Sequence, residues 1–373
     1  MHSSEQTIHF TMEPTSYSLQ DVEDIIRACT YHRYEFDDLL VRTPDSKLQA
    51  PFLQSVFNTP LSSSLGTLDC LPKELMVMVL RELDIVSYLR FRAVNNRARA
   101  LATDSREYSQ VVTHGLAGFK TLLRVQTAEL FTIRGYYQAL ISPLCSMCTS
   151  FGTFMSLMTC ERFCFTCLEI SVDLRVLAIP APKSYCRAIN VSRRDIERVL
   201  EPRFRVVYGK YSLVSWPKVR KPRYLVSVND VFRKLPLLGP DESINYWNMG
   251  RLPEHQSHMD VYHHHCYRYM ASTAFPWYDP SRNKLESGVS CKGCNFRVER
   301  YVAANPHSGA PPWGFNDRDR IYTEKGFLEH FRSCEHAREV WESARERQVI
   351  PESRFTLEGG TVVNQRSRRT QHW

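Results

Sequence analysis

Paired cysteines constrain the fold of this chain more than any other feature of its 373 residues. Four of the twelve cysteines form two C-x-x-C pairs separated by fifteen residues, namely Cys145, Cys148, Cys164 and Cys167. Each pair places two thiolates at the tip of a tight turn, and four thiolates complete the tetrahedral shell that Zn²⁺ prefers. Cys160 is an alternative ligand in place of one of the four. The other interpretation is free thiols that pack as small apolar side chains.

A second set of metal-ligand residue types lies near the other end of the sequence. Cys291 and Cys294 form a further C-x-x-C pair, and His330 and Cys334 follow at the spacing i and i+4. Residues four apart on a helix face the same side, so these four side chains indicate a site of three thiolates and one imidazole. His336 is a competing ligand, and core packing of Cys334 is the alternative. We expect two structural Zn²⁺ sites, since four protein ligands leave no open position for a reacting water.

Two other clusters are less specific. The run His263–His265 followed by Cys266 cannot place all of its side chains on one ion, because strand neighbours face opposite ways. We favour a polar loop there over the metal site of a metalloenzyme.

Segment 193–234 has twelve Lys and Arg against four acidic residues, a net charge of +8. Such a segment can bind nucleic acid or an acidic protein, or it is the solvated face of a sheet.

Several classes of protein are disfavoured by what the sequence lacks. It has no G-x-x-x-x-G-K-[ST], G-x-G-x-x-G, G-x-S-x-G or H-E-x-x-H motif, so the common nucleotide-binding and hydrolytic sites are not expected. It has no apolar run of 18 residues and no secretory signal, so we expect neither a membrane helix nor secretion. In a reducing compartment, the cytoplasm or the nucleus, C-x-x-C pairs are typical of metal ligands rather than disulfides.

Residues 70–103 predict three short helices. Pro72 suits the first turn of the first helix, where its missing N–H costs nothing. Asp84 is a good N-cap for the second, and Asn95-Asn96 marks the break before the third. One apolar face of the first helix is formed by Leu75, Met76, Val79, Leu80 and Leu83. Three short helices bury too little apolar surface to be strongly stable alone, so we expect surplus side chains to dock on a partner. Those surplus side chains include Met76, Met78 and Val79.

This segment resembles an F-box. The matching features are Leu71-Pro72-x-Glu74-Leu75, Val79-Leu80, Leu83-Asp84, Leu89-x-Phe91-Arg92-x-Val94 and Arg97-x-Arg99-x-Leu101. The wider chain is similar to fungal F-box proteins that carry a thiolate module after the box and a later C-x-x-C with a Phe-Leu-Glu-His-Phe helix. It departs from the pattern at Ala98, where many F-boxes have Trp, and this bears on the affinity for the adaptor.

The resemblance implies a binding role rather than chemistry. F-box proteins bind the adaptor subunit of SCF (cullin-RING) ubiquitin ligases, and through it the cullin, while the rest of the chain presents a protein target. The adaptor-binding residues implied by the resemblance are Leu71, Pro72, Leu75, Val79, Leu80, Leu83, Leu89, Phe91 and Val94. The alternative function is a zinc-stabilised nucleic-acid binder that uses segment 193–234.

The predicted fold class is α+β, in five parts. Residues 1–67 are an acidic, largely flexible arm with one capped helix at 18–26, and residues 68–113 are the three-helix F-box. Residues 114–175 hold further helices and the four-cysteine zinc module. The remaining parts are a mixed α/β target-binding domain with the second zinc site at 176–345 and a flexible basic tail at 346–373. Within the α/β domain we expect a hairpin at 204–214 and a strand at 224–229.

Overall fold

The computed structural model describes residues 18–34, 36, 40–41, 53, 63–171, 173–180, 186, 192–199, 204–207, 211, 224–234, 267–307 and 311–360. Helices of its N-terminal half are α1 (Leu19–Cys29), α2 (Lys73–Glu82), α3 (Ile85–Arg92), α4 (Asn96–Thr103), α5 (Arg106–His114), α6 (Leu116–Val125), α7 (Ile133–Ile141) and α8 (Phe165–Ile170). Later helices are α9 (Arg193–Val199), α10 (Val228–Lys234), α11 (Lys292–Ala304), α12 (Asn316–Asp319), α13 (Glu324–Ser333), α14 (Glu335–Arg347) and α15 (Arg354–Leu357). Short 3₁₀ helices cover Gly66–Cys70 and Ala128–Leu130.

The strands are short and their described pairings are antiparallel. They are β1 (Thr30–Tyr31), β2 (Phe154–Ser156), β3 (Arg162–Phe163), β4 (Val176–Ile179), β5 (Phe204–Arg205), β6 (Tyr224–Ser227), β7 (Ser272–Ala274), β8 (Trp277–Asp279), β9 (Lys284–Glu286) and β10 (Ser290–Cys291). They pair in the orders β1-β10, β3-β2-β7, β4-β6-β5 and β8-β9. The predicted mixture of helices and sheets is confirmed.

Helices α2 to α7 form in the region where the sequence predicts helices. The side chain of Asp84 accepts hydrogen bonds from the backbone N–H groups of Val86 and Ser87, both at 2.9 Å, and so caps α3 as predicted. Asn95 caps α4 through the N–H of Ala98. Inward side chains of these helices join one large apolar core that continues under strands β2, β4 and β7. The core therefore includes the segment that resembles an F-box and extends beyond it in both directions along the sequence.

A second, smaller core holds the C-terminal helices together. It contains buried side chains of α1, α11, α13 and α14. Helix α1 begins with a capping box between Ser18 and Asp21 and buries Ile25, Ala28 and Cys29. The strand that follows pairs Thr30 with Cys291. The N-terminal segment thus contributes more to the fold than the flexible arm predicted for residues 1–67, because its helix has an apolar face that packs on α13 and α14.

The first part of segment 346–373 also packs against the rest of the chain, although the sequence predicts a flexible basic tail there. Residues up to 360 are described and include α15, whose Phe355 ring packs edge-on against the ring of Tyr31. Nearby, Glu352 forms an ion pair with the ammonium group of Lys292, which is buried. The contact of the Phe355 ring with Tyr31 and the ion pair between Glu352 and Lys292 explain why the first part of this segment packs against the rest of the chain. Residues 361–373 lie outside the described part of the chain.

One buried arginine, Arg162, forms hydrogen bonds with three separate parts of the fold. Arg162 on β3 is only 2% exposed, and its guanidinium donates to backbone carbonyls rather than to a carboxylate. The accepting carbonyls belong to Ala139, Leu140, Gly152, Phe275 and Pro276. These residues come from α7, from the loop before β2, and from the turn between β7 and β8. A single side chain therefore links elements more than 100 residues apart.

Other sequence predictions fall partly outside the described residues. Strand β6 covers residues 224–227 of the strand predicted at 224–229, and residues 228 and 229 begin α10. Of the hairpin predicted at 204–214, strand β5 pairs with β6, and residues 208–210 and 212–214 lie outside the described part of the chain. The run His263–His265 with Cys266 lies outside as well, as do residues 200–203, 208–210 and 212–223 of segment 193–234. In the part of the chain that the structure describes, no helix is both long and apolar enough to span a membrane.

Candidate metal centres and the F-box surface

Cys145, Cys148, Cys164 and Cys167, hereafter the first metal group, converge as the sequence predicts. Their Sγ atoms all lie within 4.8 Å of one another, and those of Cys148 and Cys164 are 3.5 Å apart. The first pair follows α7 in a turn, and the second pair opens α8. Between them, β2 and β3 form a short hairpin, with Phe154 opposite Phe163. The fold therefore brings four sulfur ligands to one point.

The electrostatics of the first metal group favour a cation at its centre. Hydrogen bonding from the Cys164 thiol lowers the pKa of Cys145 to about 4, and the same interaction raises the pKa of Cys164. The backbone N–H of Met147 points at the Cys145 sulfur at 3.4 Å, which also favours the thiolate. Although burial opposes it, hydrogen bonding with Ser150 also lowers the pKa of Cys148, whereas burial raises the pKa of Cys167 to about 12. Without a metal the group thus combines thiols of lowered pKa with thiols of raised pKa. A divalent ion would allow the other thiols to ionise as well.

Cys291, Cys294, His330 and Cys334, hereafter the second metal group, also converge. Their ligand atoms lie within 4.8 Å of one another. The Cys294 sulfur is 3.4 Å from Nε2 of His330 and 3.9 Å from the Cys334 sulfur. Hydrogen bonds from Cys291 and Cys294 hold the pKa of Cys334 far below its usual range, while the pKa of Cys291 is raised. Like the first metal group, this group therefore brings together four ligand atoms that could bind one metal ion.

Local packing positions the ligands of the second metal group. The His330 ring stacks on the buried ring of Tyr322, with centroids 4.7 Å apart. Gly293, which lies between Cys291 and Cys294 in the first turn of α11, packs against α14, where an added Cβ would be 2.3 Å from the backbone nitrogen of Ala337. Glycine is needed here because the close approach of α14 leaves no room for a side chain.

The two alternative ligands lie outside the converged groups. Cys160 is buried, with its sulfur 3.8 Å from that of Met155, and burial raises the pKa of its thiol to about 12. His336 lies on α14 with Nδ1 3.5 Å from the carboxylate of Glu339. Neither is placed as a ligand, so the eight residues named first are the ones that the fold brings together.

Helix α2 has apolar side chains on two sides, and the described residues of the chain cover only one of them. Met76 and Leu80 are buried in the large core. Leu75, Met78 and Val79, hereafter the uncovered face of α2, are 46%, 60% and 50% exposed. The spacing i, i+3, i+4 makes these three neighbours on the helix surface. An amphipathic helix needs only its inward stripe to fold, so this second stripe is free to contact another molecule.

The remaining predicted adaptor-binding residues divide between surface and interior. Leu71, Pro72 and Val94 are exposed. Leu83, Leu89 and Phe91 are partly buried against the core, and Leu80 is fully inside it. Ala98, at the position where many F-boxes have Trp, is completely buried in α4. Sequence reasoning also placed Met76 among the side chains available to a partner, whereas it is 4% exposed.

Two features were missed at the level of sequence. Leu68, which is 43% exposed in the 3₁₀ helix before α2, adds to the apolar surface near Leu71. The sequence signal for it is the leucine itself, which stands between the polar residues Thr67 and Asp69. The role of Arg162 has no sequence signal, because an arginine in a C-x-x-C region is usually a surface residue.

A comparison with known protein families finds a match in the region that contains the uncovered face of α2. The model of the F-box domain matches residues 68–110. The matched range runs from the 3₁₀ helix through α2, α3 and α4 into α5. Searches of curated proteins and of solved structures found no match to the chain. The chain thus contains an F-box domain, which at a coarse level indicates an adaptor-binding substrate receptor of an SCF-type ubiquitin ligase.

Proposed function

We propose that this chain binds the adaptor of an SCF ubiquitin ligase through the uncovered face of α2 and presents a protein target for ubiquitination. The observation that carries the proposal is that Leu75, Met78 and Val79 stay exposed inside a detected F-box while Met76 and Leu80 complete the core. Exposed apolar side chains on one helix surface favour a protein partner because their burial releases water. Leu71 and Val94 would extend the contact.

Charge introduced on the uncovered face tests this proposal. The double variant Leu75→Glu plus Val79→Glu should reduce capture of purified SCF adaptor by at least about 100-fold, because two apolar contacts become buried charges. Its circular dichroism and unfolding midpoint should match those of the wild type, since both side chains are already exposed. Leu80 is unsuitable for this test because it lies in the core, and a charge there would unfold the domain.

A matched control is available at the other end of the chain. Leu357 in α15 is 71% exposed, and Leu357→Glu should leave adaptor capture unchanged. If the double variant binds the adaptor as tightly as the wild type, the uncovered face is not the docking surface. If the wild type binds no adaptor, the proposed function itself fails.

We also propose that each metal group holds one structural Zn²⁺. Tetrahedral zinc with Zn–S bonds of about 2.3 Å sets its sulfur ligands about 3.8 Å apart. The observed sulfur–sulfur distances of 3.5 Å and 3.9 Å lie on either side of that value. Both groups supply four protein ligands, so the ions would stabilise the fold and activate no water. The ligand residues are those that the sequence predicted.

Metal analysis of the purified chain tests the zinc proposal. Inductively coupled plasma mass spectrometry should find two Zn²⁺ per chain. Cys148→Ala and His330→Ala should each lower the content by one. Cys70→Ala is the control, because Cys70 is an exposed cysteine outside both groups and its loss should leave the content at two. A wild-type chain that carries one ion or none contradicts the proposal for at least one group.

The proposal assigns the rest of the chain to the target. Residues 114–175 would connect the F-box to the target-binding part at 176–345, and the chain itself would catalyse no reaction. It would reach the cullin through the adaptor and act by raising the local concentration of the target near the ubiquitin-loaded enzyme. A cytoplasmic or nuclear location and a kinship with fungal F-box proteins belong to the same proposal.

A further inference from the structure

A cavity of about 730 Å³ lies between the two metal groups. One wall is the loop of the first metal group, where Leu144 and Phe151 flank the first cysteine pair. The opposite wall is the side of α13 that carries His330, and the β8–β9 hairpin supplies Trp277. The volume is in the range of sites that hold a ligand or a short peptide segment. Each of these two walls thus adjoins a metal group.

Aromatic rings give the cavity its apolar surface. The rings of Phe151 and Trp277 meet edge to face with centroids 6.3 Å apart, and the Trp277 Nε1–H is already bonded to the carbonyl of Ile141. The polar end of this tryptophan is therefore satisfied, and its ring is left to offer apolar contact or a π face to a ligand. Leu144, which is 51% exposed, lines the same cavity.

The ionisable side chains that line the cavity balance one another. They are Asp279, Glu286, Glu329, Arg282, Arg320 and Lys325. Both arginines are engaged within the protein: Nε of Arg282 is 3.7 Å from Asp279, and the Arg320 guanidinium lies 5.3 Å from the ring centroid of Tyr322. Glu286 accepts a hydrogen bond from the N–H of Glu324. The side chains alone therefore confer no net charge.

The metal groups on either side shift this balance. Four thiolates around a divalent ion leave a charge of −2 on the first group, and three thiolates with one neutral imidazole leave −1 on the second. Leu144 and Ser333, which line the cavity, are direct sequence neighbours of the ligands Cys145 and Cys334. With both ions bound the cavity is thus aromatic and flanked by excess negative charge. That combination attracts a cation that also has an apolar stem.

We propose that this cavity binds a Lys or Arg side chain of the target protein. The inference rests on the proposed function for the identity of the occupant as a target, and on the proposed zinc ions for its charge. The alkyl stem of the basic residue would pack against Phe151 and Trp277, and Glu329, which is exposed on α13, would pair with its charged end. An acidic or phosphorylated segment is disfavoured because Arg282 and Arg320 are engaged within the protein and Lys325, the third cation of the lining, lies one helical turn from Glu329 on α13.

Peptide binding to the full-length, zinc-loaded chain tests the inference. The probes are three fluorescent dodecapeptides with one Gly/Ser/Leu framework that carry three Arg, three Glu or three Gln at the same positions. By fluorescence polarisation the Arg peptide should bind at least tenfold more tightly than the other two. Equal binding of the Arg and Gln peptides overturns the inference, and tighter binding of the Glu peptide replaces it with an anion site.

A charge-reversal pair locates the binding site. Glu329→Lys should lower the affinity of the chain for the Arg peptide by about tenfold. The reason is that an attraction between opposite charges becomes a repulsion at a partly solvated site. The control is Glu346→Lys on α14, an equally exposed acid that does not line the cavity, and it should bind like the wild type. If the two variants bind alike, the peptide sits elsewhere, for instance on the acidic N-terminal residues, and the inference is wrong.

Adaptor capture by the same preparations separates this inference from the proposed function. Glu329→Lys should retain full adaptor binding, because the uncovered face of α2 does not line the cavity. A chain that binds the Arg peptide through Glu329 but captures no adaptor supports the cavity and refutes the receptor role. A chain that captures the adaptor but shows no preference for Arg refutes the cavity alone.

Discussion

Replacement of Arg162 by methionine should destabilise the chain more than any surface substitution. The guanidinium of Arg162 donates to five carbonyls and lies 4.4 Å from the ring centroid of Phe275. Methionine fills much of the same space but has no donor, so the carbonyls lose their partner inside the protein. Burial lowers the pKa of Arg162 to about 9, which shows that its charge is held away from water at a cost.

The magnitude follows from these two opposing effects. Each hydrogen bond from a charged donor stabilises the folded state by about 1.5–3 kcal/mol. Removal of a buried charge has the opposite effect, because it avoids a desolvation cost of several kcal/mol. Five bonds outweigh that relief, so we expect Arg162→Met to lower the free energy of unfolding by about 3–5 kcal/mol. Arg162→Lys keeps the charge but not the planar fork of donors, and it should lose about half as much.

Urea denaturation followed by circular dichroism measures the effect. Arg81→Met is a suitable control, because Arg81 forms a 2.7 Å ion pair with Glu107 while 42% of its side chain is exposed. That variant should lose less than about 1 kcal/mol. A loss below about 1 kcal/mol for Arg162→Met would refute the idea that this arginine links α7, the first metal group and the turn after β7.

Three further predictions concern individual contacts. Gly293→Ala should cost about 3 kcal/mol and lower the zinc content of the second metal group, because the new Cβ would meet the backbone of Ala337. Burial lowers the pKa of His114, so protonation favours the unfolded chain, and stability should fall as the pH drops below about 6.5. This fall should be smaller in His114→Phe, as measured by unfolding midpoints between pH 5 and 8. Glu352→Gln should cost about 2 kcal/mol in urea denaturation, because it leaves the buried Lys292 charge without its partner.

Each of these has an outcome that contradicts it. Full zinc content and an unchanged midpoint in Gly293→Ala would show that α14 can move away from α11. A pH profile of His114→Phe that is parallel to the wild type would assign the acid sensitivity to other groups. A neutral Glu352→Gln would mean that water or another group already satisfies Lys292.

Local features of the chain were predictable from the sequence. Each pair of ligands within the metal groups is specified by short-range spacing, since C-x-x-C needs only one turn and His330 and Cys334 only one helix. The same is true of the helices of the F-box, where Pro72, Asp84 and Asn95 mark starts and breaks by their own backbone chemistry. Each pair depends on neighbours in sequence, whereas the meeting of Cys294 with His330, 36 positions apart, depends on the packing of α11 and α13 against α14.

Only the tertiary structure decided which apolar side chains are available and which segments meet. Periodicity places Leu75 and Leu80 on the same helix but does not say which side the core will cover, and the fold buries Leu80 and leaves Leu75 exposed. The pairing of Thr30 with Cys291 and the contact of Arg162 with Phe275 join residues far apart in sequence. Such contacts depend on the closure of long loops, whose energy is supplied by the assembled core and not by any local pattern.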